Sequence, residues 1–236
     1  MRELLRVFIG FDSAETVAYH VLAHSILRRS KSPVCVTPLV LGQLPMTRER
    51  DPKQSTDFAF SRFLVPYLCG FEGRAVFMDC DMIVRCDLNE ILQVADPVRA
   101  VSVVKHDYTP LGETKFLDHK QTAYPRKNWS SVMVFNNAKC SALTPQYVNS
   151  ASGLELHRFS WINDGEIGEL PREWNHLVGE YPPNPEAKIV HFTLGTPCFG
   201  KYRRCEYAHE WNEERGLMLD YERRGEYQVI REVQYG

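Results

Sequence analysis

A short apolar segment interrupted by two carboxylates constrains the fold of this chain more than any other feature. Residues 74–84, RAVFMDCDMIV, read as a strand, then Asp79 and Asp81 on either side of Cys80, then a second apolar stretch. An apolar run of this length is typical of a buried strand. Side chains two residues apart point the same way in an extended chain, so the carboxylates can act together. The segment predicts a paired-carboxylate site at a strand end.

Strand-like and helix-like segments alternate along most of the 236 residues. Strands are predicted at residues 4–9, 34–40, 75–78, 98–104, 132–135 and 188–192, and helices at 13–29, 58–69, 87–94, 138–149 and 207–221. Such alternation favours an α/β fold with a central mixed, mostly parallel sheet flanked by helices. We expect residues 1–200 to form a single Rossmann-like domain and residues 201–236 a helical extension packed on it.

Composition excludes several classes of protein. A hydrophobic share of 44% and a charged share of 25% are ordinary for a globular domain, and the net charge of -2, without a Lys/Arg cluster, argues against nucleic acid as a partner. The seven cysteines form no CxxC pair, which argues against a zinc ribbon or a disulfide framework. No apolar run reaches the ~20 residues of a membrane span and no export signal is visible, so we expect a reduced, cytoplasmic protein.

Ligands of open α/β sheets bind beyond the carboxyl ends of the strands, where Asp79 and Asp81 are expected. Carboxylate oxygens suit Mg²⁺ or Mn²⁺, and His191, at the end of a later strand, would add a nitrogen ligand that favours Mn²⁺. The alternatives are a solvated turn and a structural histidine. Asp12 likewise has the spacing of a helix N-cap with Glu15, and Arg62 could be an ordinary helix-surface residue.

Five segments resemble, in the same order, the retaining family 8 glycosyltransferases of the GT-A fold. They are FIGFDSAETVAYHVLAHSI, STDFAFSRFLVPYL, RAVFMDCDMIV, WINDGEIGELPREWN and IVHFTLGTP, and they span about residues 5 to 200. The resemblance implies that Asp79, Asp81 and His191 hold Mn²⁺ (or Mg²⁺) against the diphosphate of a nucleotide sugar. It also places Arg62 near the donor's phosphates or sugar, a role that suits a planar guanidinium.

The same resemblance assigns four further residues. Phe8 and Asp12, in the first segment, fall in the donor-binding set, with Asp12 near the nucleoside base. Gly195 matches the glycine that lets backbone amides approach the diphosphate, which a residue without a side chain permits. Asp164 matches the carboxylate nearest the reacting sugar, although it could instead be a helix N-cap.

The chain departs from the family pattern at two places that bear on the donor. The family's Asp-Gln-Asp is replaced by Asn163-Asp164-Gly165-Glu166, which leaves the identity of the sugar open. The lysine that follows the family's late histidine is missing, and Lys188 and Lys201 are the nearby candidates, neither at the matching position.

The expected function is therefore a metal-dependent glycosyltransferase, which moves a sugar from a nucleotide sugar, expected to be a UDP-sugar, to a glycan, lipid or protein acceptor with retention of configuration. Retention would follow from same-face attack or from a covalent intermediate on Asp164, and residues 106–131 are a candidate lid. Two alternatives remain: a haloacid dehalogenase-type phosphohydrolase with Asp79 as nucleophile, and an inert carbohydrate- or nucleotide-binding module.

Overall fold

The structure is a computed structural model that describes residues 4–50, 54, 56–107 and 126–219. The strands are β1 (Leu5–Gly10), β2 (Val34–Leu39), β3 (Arg74–Met78), β4 (Met82–Val84), β5 (Val101–Val103), β6 (Val132–Asn136), β7 (Ile167–Glu169), β8 (His176–Leu177) and β9 (Ile189–His191). The helices are α1 (Thr16–Arg29), α2 (Val65–Leu68), α3 (Ile91–Val94), α4 (Pro145–Ser150), α5 (Gly153–His157) and α6 (Ala208–Leu219). The predicted lid falls largely on residues outside these ranges.

Six strands form the central sheet in the order β2-β1-β3-β6-β5-β7. Only β6 runs antiparallel to its neighbours, so β1, β2, β3, β5 and β7 all point the same way. The α/β fold with a mixed, mostly parallel sheet is therefore confirmed. Apart from the edge strand β2, which is only partly buried, the strands carry mainly Val, Ile, Phe and Met side chains. These are almost fully buried in one large core between the sheet and the helices, as expected for a sheet covered on both faces.

A second sheet of three short strands, in the order β4-β9-β8, stands next to the central one. Strand β3 belongs to the first sheet and β4 to the second, so residues 79–81 are the link between the two sheets. Pairing of β4 with β9 is antiparallel and sets Met82 opposite His191. The second sheet was not predicted, because strands of two or three residues are too short to show a clear apolar pattern.

The predicted helices are confirmed in part, because several are shorter than expected. The predicted 138–149 helix is a 3-10 turn at Asn137–Lys139 followed, after a break, by α4. The 58–69 segment becomes a 3-10 turn, Ser61–Leu64, followed by α2, with Pro66 in its first turn; proline is favoured at the start of a helix and excluded from its interior. The first helix likewise begins with a 3-10 turn, Ser13–Glu15. All seven cysteines are free thiols. Within the described ranges, none of the helices has the length and apolarity that crossing a bilayer requires.

A buried glutamate joins α6 to α1. The carboxylate of Glu214, 2% exposed, accepts hydrogen bonds from Arg28 at 2.9 Å and Arg29 at 2.7 Å and contacts His24. Trp211, one turn earlier, is buried in a small second core around β9. A further ion pair joins Glu210 to Arg85 at 2.9 Å. The described part of the predicted helical extension therefore packs on the domain through apolar and charged contacts, while the boundary at residue 200 stays a prediction.

We predict that Glu214→Gln lowers the free energy of unfolding by about 2–3 kcal/mol at neutral pH, because charge-assisted hydrogen bonds to two arginines become weak ones. Burial raises the pKa of Glu214, but its bonds to Arg28 and Arg29 outweigh it and hold the pKa below the usual 4.5. A lowered pKa stabilises the fold above the unfolded value, and that contribution is lost as the pH falls through the folded value. In urea unfolding, the difference between variant and wild type should therefore shrink below about pH 4. A difference that is constant with pH would contradict this account.

Candidate functional site

The link between the two sheets holds Asp79 and Asp81 in fixed positions. The backbone N–H of Asp79 donates to the carbonyl of Ser131 at 2.9 Å, and the N–H of Phe192 donates to the carbonyl of Asp81 at 2.9 Å. Backbone hydrogen bonds therefore fix both ends of the link. The two carboxylates face the same side, while Cys80 between them is fully buried on the other side. This arrangement confirms the geometric expectation drawn from the alternation of an extended chain.

His191 completes the group because the β4–β9 register brings it beside Asp81. Its Nε2 lies 3.2 Å from Oδ1 of Asp81. One ligand atom from each of Asp79, Asp81 and His191 lies within 4.8 Å of the others. Ligands of one octahedral ion with bonds of about 2.1 Å lie at most about 4.2 Å apart, so only a small contraction of this group would let the three residues hold a single cation. Three residues from two distant parts of the chain therefore meet, as predicted.

The chemistry of these donors fits a divalent cation. Oδ1 of Asp81 is buried and forms no hydrogen bond among the described residues, although Nε2 of His191 lies 3.2 Å away. A buried carboxylate oxygen without a donor is costly unless a cation or a proton faces it. Carboxylate ligands suit Mg²⁺ and Mn²⁺, and an imidazole ligand is typical of first-row transition metals. The residues present therefore fit the implied metal.

Arg62 is buried behind Asp79, not on a helix surface. Its guanidinium lies 2.8 Å from Oδ1 of Asp79 and donates to the carbonyl of Ser130 at 2.9 Å. The rings of Phe58 and Phe77 lie 5.4 and 4.9 Å from its central carbon. The reading of Arg62 as a surface residue is therefore wrong, and its side chain, 7% exposed, offsets the charge of one aspartate. Its contact with the donor stays a prediction.

Glu15 is a buried acid that the sequence reading treated only as a capping partner of Asp12. Its carboxyl lies behind the site, where Cys80 donates a weak hydrogen bond to it. Burial first, then the charges of Asp81 and Asp12, raise the pKa of Glu15 from 4.5 to about 9. It is therefore protonated and neutral at pH 7, which spares the site a further negative charge.

Asp12 has a structural role that the N-cap reading anticipated. One carboxylate oxygen accepts from the N–H of Ala14 at 2.9 Å and the other from the N–H of Asp57 at 3.0 Å. Asp12 therefore caps the first turn and ties it to the segment before α2. Phe8 is 7% exposed and belongs to the main core. Contact of either residue with a nucleoside stays a prediction.

Gly195 occupies a position that only glycine tolerates. Its φ is +133°, and a Cβ there would lie 2.3 Å from the ring of Tyr202. Close by, a cavity of about 100 Å³ separates the first turn of α1 from residues 196–199, and Glu15 and Thr196 are among its lining. Thr196 is fully buried, and its hydroxyl has no hydrogen-bond partner in the described part of the chain. Gly195 therefore shapes a turn beside a cavity that carries an unsatisfied polar group.

Asp164 is not part of the Asp79–Asp81–His191 group. Its side chain is 78% exposed and pairs with Arg126 at 2.7 Å. In the sheet register, Ile167 is level with Val101 and, through β6, with Ala75. Asp164 thus precedes the start of β7, whereas Asp79 follows the end of β3, so the two lie beyond opposite ends of parallel strands. Its assignment to the reacting sugar stays a prediction.

The polar residues that support His191 were not anticipated. Asn175, fully buried, bonds to Nδ1 of His191 at 2.9 Å and to the hydroxyl of Ser131 at 2.8 Å. Ser130, the residue before Ser131, bonds to His157 at 2.8 Å. The one sequence signal was a polar asparagine directly after the apolar tryptophan of LPREWN. Of the aromatic residues near this face, Phe159 and Trp161 are core residues.

Comparison with known proteins gives one close relative and several distant structures. The protein CDI of Arabidopsis thaliana is 43% identical over 220 residues, which cover 89% of this chain and 85% of that protein. The bifunctional glycosyltransferase WbbM matches with a TM-score of 0.65 and 16% identity over 91% of this chain, which spans only 50% of WbbM. The galactosyltransferase LgtC, solved with donor and acceptor sugar analogues, matches with a TM-score of 0.54 and 11% identity, over 95% of this chain and 99% of LgtC. No family model matches. The predicted resemblance to GT-A glycosyltransferases is confirmed at the level of the fold.

We predict that Gly195→Ala lowers the free energy of unfolding by about 3 kcal/mol, since the new methyl group meets the Tyr202 ring and the backbone stays at positive φ. Gly200→Ala is the matched control, because a Cβ at Gly200 meets nothing within 4 Å. Thermal and urea unfolding of both variants provide the measurement. Equal stability of the two variants would show that the Tyr202 ring can move aside without a cost in unfolding free energy.

Proposed function

This chain belongs to the family of the Arabidopsis thaliana protein CDI and has the fold of glycosyltransferases, and on that basis we propose that it is a metal-dependent glycosyltransferase. The proposed reaction transfers a sugar from a nucleotide sugar, with a UDP-sugar as the expected donor, to an acceptor hydroxyl. The observation that carries the proposal is the convergence of Asp79, Asp81 and His191 at the end of β3.

The charge balance of the site supports a diphosphate leaving group. Asp79, Asp81 and His191 would hold a divalent cation, which offsets the negative charge that develops on a nucleoside diphosphate as the anomeric bond breaks. Arg62 neutralises Asp79 from the side of the core, and Glu15 is neutral at pH 7. The metal ligands thus carry at most two negative charges, those of Asp79 and Asp81, and Arg62 already offsets the first. A bound divalent cation would therefore keep positive charge that can attract phosphate.

The surroundings of Gly195 support a position for the donor. The cavity at the start of α1 lies between the turn that Asp12 caps and the turn that Gly195 opens, and both turns follow strands that end near the metal group. The buried hydroxyl of Thr196 offers a hydrogen-bond donor there. We place the phosphates of the donor along this edge, between the cation and the first turn of α1, where backbone N–H groups favour anions.

Retention by same-face attack suits the described geometry better than a covalent intermediate on Asp164. A nucleophile must come within about 3–3.5 Å of the anomeric carbon, whereas Asp164 precedes β7 and pairs with Arg126. In same-face attack the leaving diphosphate itself accepts the proton of the acceptor, so the enzyme needs no carboxylate nucleophile. The protein's task is then to hold the donor and acceptor together and exclude water.

The surroundings of Asp79 argue against the phosphohydrolase alternative. It needs Asp79 as a free nucleophile at the head of its domain, but Asp79 follows 78 residues of chain and its Oδ1 lies against Arg62. An inert binding module on the same fold remains the competing outcome of the assay.

We expect the protein, incubated with Mn²⁺ and a panel of nucleotide sugars, to bind one of them and release its nucleoside diphosphate slowly by hydrolysis without an acceptor. Asp81→Ala should abolish Mn²⁺-dependent donor binding, measured by calorimetry, because the ion loses its central oxygen ligand. Asp96→Ala removes a surface carboxylate paired with Arg99 and should change nothing.

Two outcomes would contradict the proposal. Unchanged Mn²⁺-dependent affinity in Asp81→Ala would refute the metal assignment. Binding of a nucleotide sugar by wild type, with neither hydrolysis nor transfer to any saccharide, lipid or protein tested, would identify an inert module instead.

The lysine that follows the late histidine in the family pattern is missing from this chain. We also predict that Lys201 supplies the same positive charge. Lys201 lies 5.7 Å from the ring of Tyr202, the same ring that packs over Gly195. Lys188 is committed elsewhere, because it pairs with Glu90 at 2.8 Å before the start of β9, away from the end that carries His191.

Lys201→Ala should therefore weaken donor binding by about tenfold, with little change in Mn²⁺ affinity, since one charged contact to phosphate is worth about 1.4 kcal/mol. Lys188→Ala is the control and should leave donor affinity unchanged. Calorimetric titration of both variants with the donor provides the measurement. The reverse pattern, with Lys188 affecting donor affinity, would overturn the assignment.

A further inference from the structure

We propose that Asn175 is a positioning residue, which holds the neutral His191 ring in its Nδ1-protonated form so that Nε2 presents a lone pair to the metal. This inference rests on the metal site of the proposed function. It concerns a chain of buried hydrogen bonds that runs from a backbone carbonyl to the histidine, and it assigns the direction of each bond.

The chain of bonds begins at the carbonyl of Asn128. That residue adopts the left-handed conformation, with φ at 62°, which asparagine tolerates better than most residues. The hydroxyl of Ser131 lies 2.7 Å from this carbonyl oxygen. A carbonyl oxygen can only accept, so the single proton of the Ser131 hydroxyl is committed to it.

The orientation of the Asn175 amide follows from that commitment. Having used its proton, the Ser131 oxygen can only accept a bond from its other neighbour, which lies 2.8 Å away. That neighbour must be the NH₂ group of Asn175, which also points at the carbonyl of Asn128, at 3.4 Å. The carbonyl oxygen of the Asn175 side chain is therefore the atom that faces His191, at 2.9 Å from Nδ1.

The tautomer of a neutral histidine ring is then determined. An amide oxygen only accepts, so Nδ1 must carry a proton, and in a neutral imidazole the other nitrogen then has none. That other nitrogen, Nε2, lies 3.2 Å from Oδ1 of Asp81. Two lone pairs face each other across this distance, and a cation between them removes the repulsion. Asn175 thus directs the metal-binding nitrogen at the site before any metal arrives.

Burial makes this arrangement specific. Asn175 is 0% exposed, and His191 and Ser131 are each 2% exposed, so water is excluded as a substitute partner for the amide. Hydrogen-bond partners of metal ligands typically account for about 10- to 100-fold in metal affinity. Asn175 joins the site at the end of the 3-10 turn Arg172–Asn175, directly before β8, so its position is set by the same small sheet that carries His191.

The first experiment reads the ring directly. In metal-free protein at alkaline pH, where imidazole rings are neutral, the ¹⁵N shifts of His191 should identify a proton on Nδ1. Asn175→Leu, which has no acceptor, should shift the population toward the Nε2-protonated form, and Asn175→Asp, which keeps an acceptor, should preserve the wild-type form. An Nε2-protonated ring in wild type would overturn the inference, whether or not either variant folds.

The second experiment measures Mn²⁺ alone, by titration of the free ion. Asn175→Leu should weaken Mn²⁺ binding about 10- to 100-fold, and Asn175→Asp should stay within about fivefold of wild type. Asn137→Leu is the matched control, because Asn137 is equally buried and donates to the carbonyl of Glu72 near the start of β3. It should lower stability without altering Mn²⁺ affinity or the His191 shifts.

The two readouts separate this inference from the proposed function. Failure of wild type to bind Mn²⁺, together with an Nδ1-protonated ring that Asn175→Leu disturbs, would reject the metal site and keep the positioning role. Normal Mn²⁺ binding that Asn175→Leu leaves unchanged would reject the positioning role and keep the metal site.

Discussion

The antiparallel pairing of β4 with β9 is the interaction on which the site depends. It sets Met82 opposite His191 and, one residue further, lets the N–H of Phe192 bond to the carbonyl of Asp81. Because β3 belongs to a different sheet, the residues between β3 and β4 must cross from one sheet to the other in an extended form. Backbone pairing therefore brings the two carboxylates and the imidazole to one place.

Concentrating negative charge in a largely buried place carries a free-energy cost, and three features of the surroundings reduce it. Arg62 forms an ion pair with Asp79, the N–H groups of Ala14 and Asp57 bond to Asp12, and the raised pKa of Glu15 keeps that residue neutral. The residual charge is centred on Asp81, whose buried oxygen faces the unprotonated nitrogen that we assign to His191. Such a site is arranged for a cation, and binding of one would stabilise the folded state.

The large strands and the fold class could be predicted, because each depends on a local pattern of apolar runs ending at polar residues. The Asp79–Asp81–His191 group was predicted through the family resemblance, since the β4–β9 pairing that brings its members together leaves no clear local pattern. The burial of Arg62 could not be predicted, since it depends on Phe58 and Phe77 meeting across the core. The role of Glu15 was hidden for a similar reason: its position three residues after Asp12 matched a capping box, and only the packing of α1 against β4 turns it toward Cys80. The role of Asp164 stays a prediction that rests on a motif match, and a motif carries no information about which end of β7 the residue lies at.

Helix α1 has one end at the site and the other at the C-terminal helix. Its first turn follows Glu15, which contacts Cys80 between the two aspartates. Its last turn carries Arg28 and Arg29, which form ion pairs with Glu214 of α6. Its 14 residues form a stiff rod of about 21 Å. Between these two ends, α1 packs against β4, the strand that follows Asp81. One continuous helix therefore joins the charged contact with α6 to the first turn beside the site.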